Sequence, residues 1–129
     1  MSGEDPYLGY EMAKSAVQGI QINHVMAVPK GWMNNNSEQD IYITDEIIDE
    51  RTRFELYYPP FEGAIEAGAK SIQCSKNKVN GKYVCESEEL LNTDLRERLG
   101  FDGYVMSEVG ATRSASLEQG LDQEMPDDR

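Results

Sequence analysis

The order of its apolar patterns constrains this chain most: helical and strand-like stretches alternate from one end to the other. In "DPYLGYEMAKSAVQGIQ" an apolar residue recurs every fourth position, at Leu8, Met12, Ala16 and Ile20, and these predict one buried helix face. Asp5 suits the N-cap and Pro6 the first helical position. "HVMAVPK" then has strand character, closed by Pro29 and Lys30, and "GWMNNNSEQD" reads as a polar loop. A second helix is expected through "DEIIDERTRFELYYPPFEGAIEAG", with Phe54, Tyr58, Phe61 and Ile65 on one face. Pro59 and Pro60 must kink or interrupt it, and Gly68 is a natural stop. "KSIQCS" predicts a strand, "SEELLNTDLRERLG" a helix ending at Gly100, and "FDGYVMSE" another strand. "ATRSASLEQGLDQEMP" reads as a short helix and the start of one more strand. Such alternation implies an α/β fold, a parallel sheet covered by helices. Right-handed crossovers would then gather Lys30, Ser75-Lys76-Asn77 and Glu108 at the strand ends.

Composition removes several classes of partner. The formal charge of −12 over 129 residues repels phosphate backbones and anionic lipid, which argues against nucleic-acid and membrane-surface binding. No stretch approaches the roughly 20 apolar residues of a membrane span, and "MSGEDPYLGY" has no basic start or apolar run like a signal peptide. Cys74 and Cys85 flank "SKNKVNGKYV", a loop of a size that closes as a disulfide in an oxidising compartment. Two free or half-buried thiols are the other reading. With His24 the one histidine, no zinc site is expected, and no calcium-loop pattern occurs. The acidic runs "SEQD" and "DEIIDE" read as solvated faces, so neither metal nor cofactor is expected.

The blocks "EDPYLGY", "NNNSEQD", "IDERTRFELYYPPFEGAIEAGA", "CSKNKVNGKYVCESEELLNTDLRERLGFDGYVMSE" and "GLDQEMP" together resemble glycoside hydrolase family 3, the β-glucosidase family. The resemblance covers nearly the whole chain, with the blocks in the family's order. It implies a segment of a (β/α)8 barrel with alternating parallel strands and helices, incomplete as a barrel. On this view residues 1–129 form one partial barrel segment without the family's second domain. Chemistry in such barrels gathers at the strand ends. The family is a retaining one, in which one carboxylate attacks the anomeric carbon and a second carboxyl group protonates the leaving oxygen.

Residue by residue, the resemblance places Glu108, in Ser107-Glu108-Val109, where the family has the nucleophilic aspartate of a Ser-Asp-Trp stretch. Lys30-Gly31 stands for a Lys-His pair that holds sugar hydroxyls, and Ile41 for an arginine. Gln73-Cys74-Ser75-Lys76-Asn77 stands for Met-Cys-Ser-Tyr-Asn, and Arg113 for a histidine. In the family the general acid normally comes from beyond this segment, so no residue here is assigned that role. The departures fall on the sugar-contacting positions and the nucleophile, while scaffold stretches such as "LLNTDLRERLGFDG" stay close to the family pattern.

Glu108 is chemically competent as a nucleophile but one methylene longer than aspartate, and a displacement of about 1 Å can cost on the order of 100-fold in rate. The alternative is an ordinary strand-end carboxylate. Lys30 is read as a residual sugar contact or as the partner of a carboxylate such as Glu108. Trp32 is read as a platform for a sugar ring or as loop packing, and Lys76 as a sugar contact or as a charge neutralising Glu108. Arg113 and Asp122 read as surface or loop residues. The functional expectation is a barrel segment impaired or inactive as a hydrolase on its own, with at most weak carbohydrate binding. The alternatives are β-glucoside hydrolysis through Glu108 once missing parts are supplied, and a structural or interaction scaffold. Open sheet edges favour self-association or complementary barrel segments as partners. A family-like protein would be secreted.

Overall fold

Asp5 starts the fold, its side chain accepting the Leu8 N–H at 3.0 Å, and helix α1 runs over Pro6–Gln21. The computed structural model describes residues 3–37, 39–114 and 116–126. The packed face of α1 is not the row read from the sequence. Leu8, Met12 and Ile20 are 48%, 49% and 44% exposed, whereas Gly9 and Val17 are buried. Small side chains decide this. A Cβ on Gly63 would lie 2.3 Å from the Tyr10 carbonyl oxygen, so only a glycine lets the two backbones approach so closely. Val17, Ala27, Ala64 and Ala69 fill that contact, and the bulkier row is left facing out.

The main sheet has three parallel strands in the order β1 (Lys30–Trp32), β3 (Ser71–Cys74) and β6 (Tyr104–Ser107). The first strand begins later than the apolar run suggested. Val25 and Met26 are 58% and 48% exposed, and the ladder starts where Gln73 N–H donates to Pro29 O at 2.9 Å. Pro29 has no N–H to give a neighbour, which delays pairing until Lys30. Beyond β6, Ser107 N–H donates to Gln123 O at 2.8 Å and a parallel bridge joins Met106 to Gln123, the start of a further strand. The sheet does not close into a barrel.

A second, small sheet was not expected. Strand β2 (Asp45–Glu46) pairs parallel with β4 (Lys78–Val79), which pairs antiparallel with β5 (Lys82–Tyr83). Asn80 and Gly81, both at positive φ, make the hairpin turn between β4 and β5, the dipeptide best suited to it. Asp45 and Glu46 are therefore strand and not helix. The helical stretch begins after its N-cap Asp49, with α2 (Glu50–Thr52), a wider i→i+5 turn over Arg53–Tyr57, and α3 (Pro59–Glu66). Pro59 and Pro60 interrupt the helix and sit in the first turn of the next, where a missing N–H costs nothing. The helix Glu89–Arg98 also uses i→i+5 bonds, and Gly100 leaves it at φ 74°.

Helices meet sheet at Tyr58, which is fully buried. Its ring stacks on Trp32 of β1 at 4.6 Å and meets Phe54 edge-on at 4.7 Å. Its hydroxyl donates to Asp94 Oδ2 at 2.6 Å, and Arg53 Nη1 lies 3.1 Å from the same oxygen. Burial, and then the Asp94 carboxylate, push the phenol far above its ordinary pKa. Among the described residues no helix is long and apolar enough to cross a membrane.

Asp94 is 1% exposed and Arg53 5%, so Asp94→Ala leaves the buried Tyr58 hydroxyl without its acceptor and Arg53 with Glu89 as its remaining ion-pair partner, and should cost about 3 kcal/mol in urea unfolding. A loss below about 1 kcal/mol would show that the network contributes little. Cys74 and Cys85, both fully buried, are joined by a disulfide across 11 positions. The Cys74→Ala/Cys85→Ala double variant should lose about 3 kcal/mol, the value expected for so short a loop. An unchanged unfolding midpoint would contradict that value.

Candidate strand-end site

Two strands of the main sheet, β3 and β6, each deliver a charged residue to the same rim. Glu108 follows β6 directly, its N–H donating to Cys74 O at 2.9 Å, and Gly110 at φ 70° turns the chain away. Lys76 follows β3, two residues past the disulfide. The two meet: Lys76 Nζ lies 3.3 Å from Glu108 Oε1, with side chains 19% and 25% exposed. Of the two readings of Lys76, the charge facing Glu108 is the arrangement found. Lys30 in β1 is exposed and does not pair with Glu108. It lines a cavity of about 610 Å³ together with Gly31, Asn34, Asn36, Tyr57 and Phe61.

The remaining sequence candidates divide between packing and rim. Trp32 is fully buried, one face against Tyr58 and an edge contact to Phe61 at 5.0 Å, so no ring face is open to a sugar. It is a core residue that joins strand to helix. Ser75 and Asn77 are buried as well: Ser75 Oγ donates to Asn77 Oδ1 at 2.7 Å, and Asn77 Nδ2 to Met33 O at 3.3 Å, which holds the loop after β1. Ile41 is 8% exposed and apolar where the resemblance implies an arginine. Gly31 lies at φ 85° with nothing within 4 Å of a built Cβ, open space where the resemblance implies a histidine. Val109 is 58% exposed. Asp122 is structural: its Oδ2 accepts the Val105 N–H at 2.7 Å and Arg96 at 2.6 Å, tying β6 to the strand that follows.

One group at the rim escaped the sequence reading. Tyr42 and Tyr83 are tied by Tyr83 OH donating to Tyr42 O at 3.0 Å, and they collect three cations. Lys76 lies 5.5 Å from the Tyr42 centroid and Lys78 4.9 Å from that of Tyr83. The Arg113 guanidinium stands 5.3 Å from Tyr42 and 5.0 Å from Tyr83. The legible signal was Asn80-Gly81, because the hairpin it specifies sets Lys78 opposite Tyr83. Nothing local in sequence brings Tyr42 or Arg113 to it. Among the described residues no group of three or more His, Cys, Asp or Glu side chains could hold a metal ion.

A parallel sheet with helices between its strands and charged side chains at the strand ends defines an open segment of an α/β barrel. The chain belongs to glycosyl hydrolase family 3: residues 2–126 match the family's N terminal domain. It is 41% identical over 124 residues to a probable beta-glucosidase L of Aspergillus fumigatus, covering 95% of this chain and 17% of that protein. It is also 41% identical, over 126 residues, to thermostable beta-glucosidase B of Acetivibrio thermocellus, again covering 95% of this chain and 17% of the relative. The chain thus spans less than a fifth of these relatives. Among solved structures, DesR, a beta-glucosidase from Streptomyces venezuelae in complex with D-glucose, superposes with a TM-score of 0.91 at 39% identity, over 94% of this chain and 16% of that one. Beta-glucosidase 3B from Thermotoga neapolitana in complex with glucose gives 0.91 at 40% identity, over 95% and 18%.

The Lys76–Glu108 pair is partly solvated, so its coupling should be modest. A double-mutant cycle with Lys76→Gln and Glu108→Gln should return about 1 kcal/mol or less and shrink as salt rises. A salt-independent coupling above about 3 kcal/mol would mean a desolvated pair instead.

Proposed function

We propose that this chain is a family 3 barrel segment that is impaired or inactive as a hydrolase on its own and retains at most weak carbohydrate binding at its strand-end rim. The observation that carries this reading is the 3.3 Å contact between Lys76 and Glu108. A retaining nucleophile must present a free carboxylate oxygen to the anomeric carbon. Here one carboxylate oxygen, Oε1, faces an ammonium group, on a side chain one methylene longer than the aspartate that the resemblance implies. The surroundings agree. Gly31 and Ile41 offer no side-chain donors to steady a sugar or the charge that develops on it. Val109, exposed, supplies less pocket wall than a tryptophan. Support for residual carbohydrate binding comes from relatives described as beta-glucosidases, two of whose solved structures hold glucose.

A second reading has Glu108 hydrolyse β-glucosides in an assembly that supplies the missing parts. The outward row Leu8, Met12 and Ile20, the exposed Val25 and Met26, and β1 at one edge of the sheet favour it, because such surfaces suit a further barrel segment or a second copy. A structural scaffold on the same fold would use that surface without chemistry.

An aryl β-glucoside assay on the isolated chain separates these readings. The expected result is turnover no faster than in buffer, for the wild type and for Glu108→Ala alike. Turnover that Glu108→Ala abolishes and Glu108→Asp raises would sink the inactive reading.

A further inference from the structure

We infer that the strand-end rim selects an anionic saccharide, one carrying a carboxylate, held by the cations gathered on Tyr42 and Tyr83. This rests on the carbohydrate reading above and names the chemical class that the same rim would take. The chain carries 24 acidic and 12 basic residues, so a local concentration of cations runs against its composition. Yet Lys76 lies 5.5 Å from the Tyr42 ring, Lys78 4.9 Å from the Tyr83 ring and Arg113 within 5.3 Å of both, and the Tyr83 hydroxyl is bonded to the Tyr42 carbonyl. Like charges so placed repel, and ring quadrupoles offset only part of that repulsion.

The nearest carboxylates are already committed. Glu108 pairs with Lys76 at 3.3 Å. Glu86 accepts the backbone N–H groups of Arg113 and Ser114, and Asp45 accepts the Gly81 N–H at 2.9 Å. Neither Lys78 nor Arg113 forms an ion pair with a described carboxylate. Arg113 spends Nη1 on the Gly110 and Thr112 carbonyl oxygens at 2.7 and 2.9 Å, which fixes the plane of its guanidinium. A guanidinium oriented in this way is suited to a carboxylate.

The cations also adjoin the strand-end carboxylate. Lys76 touches both Glu108 and the Tyr42 ring, so it links the strand-end carboxylate to the cluster. Two of these cations, Lys76 and Arg113, stand where the resemblance implies a neutral tyrosine and a histidine. A neutral hexose gives such a group nothing to neutralise. A hexuronate supplies one negative charge at the end of a pyranose ring.

Calorimetric titration of the intact chain with methyl β-D-glucuronide, methyl β-D-glucoside and acetate tests this. The glucuronide should bind at least roughly tenfold more tightly than the glucoside or acetate, since one charge-assisted contact is worth about that factor. Its affinity should fall with added salt. Arg113→Gln and Lys78→Gln, each checked by circular dichroism for an unchanged fold, should each weaken glucuronide binding several-fold and leave glucoside binding alone. Equal affinity for the two glycosides, or glucuronide binding indifferent to both substitutions, overturns the inference while leaving carbohydrate binding intact. Acetate binding as tightly as the glucuronide reduces the rim to an anion site and overturns it too. No heat from either glycoside removes the carbohydrate reading itself, and the inference with it.

Discussion

Tyr58 holds three parts of this molecule together. Its face lies on Trp32 of the first strand, its edge meets Phe54 on its own helical stretch, and its hydroxyl reaches Asp94 on the helix between the second and third strands of the main sheet. Arg53 closes the arrangement by pairing with Asp94 and Glu89. Strand, helix and crossover helix are thus registered against one another through a single buried side chain. A buried charged pair holds this geometry only while all its members are present, because each leaves an uncompensated group behind if another is removed.

The rim depends on that registration. β1, β3 and β6 end level with one another, with Cys74 opposite both Trp32 and Ser107, after the β1–β3 register shifts between Lys30 and Trp32. The disulfide closes the loop that carries the small hairpin onto the end of β3, where Lys76 meets Glu108 and Lys78 lies over the Tyr83 ring. A site assembled from strand ends changes its chemistry when side chains are replaced, and its scaffold need not move. That fits a chain whose fold superposes on beta-glucosidases with a TM-score of 0.91 and whose rim carries lysine, glycine and isoleucine where the resemblance implies other residues.

Much of the framework was legible. Asp5 and Pro6 marked the start of α1, the two prolines marked a break at Tyr58, and "KSIQCS" and "FDGYVMSE" marked the second and third strands of the main sheet. These signals are local: a cap, a missing N–H, a run of β-branched and apolar residues. The errors came where local pattern met tertiary contact. Leu8, Met12 and Ile20 made a regular apolar row, but close packing on α3 selected the smaller side chains beside it. Asp45 and Glu46 looked helical until β4 gave them a strand to pair with.

By itself the amino-acid sequence determined the alternating order of helices and strands, the helix starts and stops, and the family to which those blocks belong. The first two follow from backbone geometry or side-chain periodicity within about a dozen residues, and the family from the resemblance of the blocks taken together. Only the tertiary structure decided which helix face is buried, that Trp32 belongs to the core, that Glu108 faces Lys76, and that Tyr42, Tyr83 and Arg113 stand together. Those outcomes join residues up to 71 positions apart, as between Tyr42 and Arg113. Contacts at such separation are set by how close-packed layers fit, and no local pattern in the chain encodes that fit.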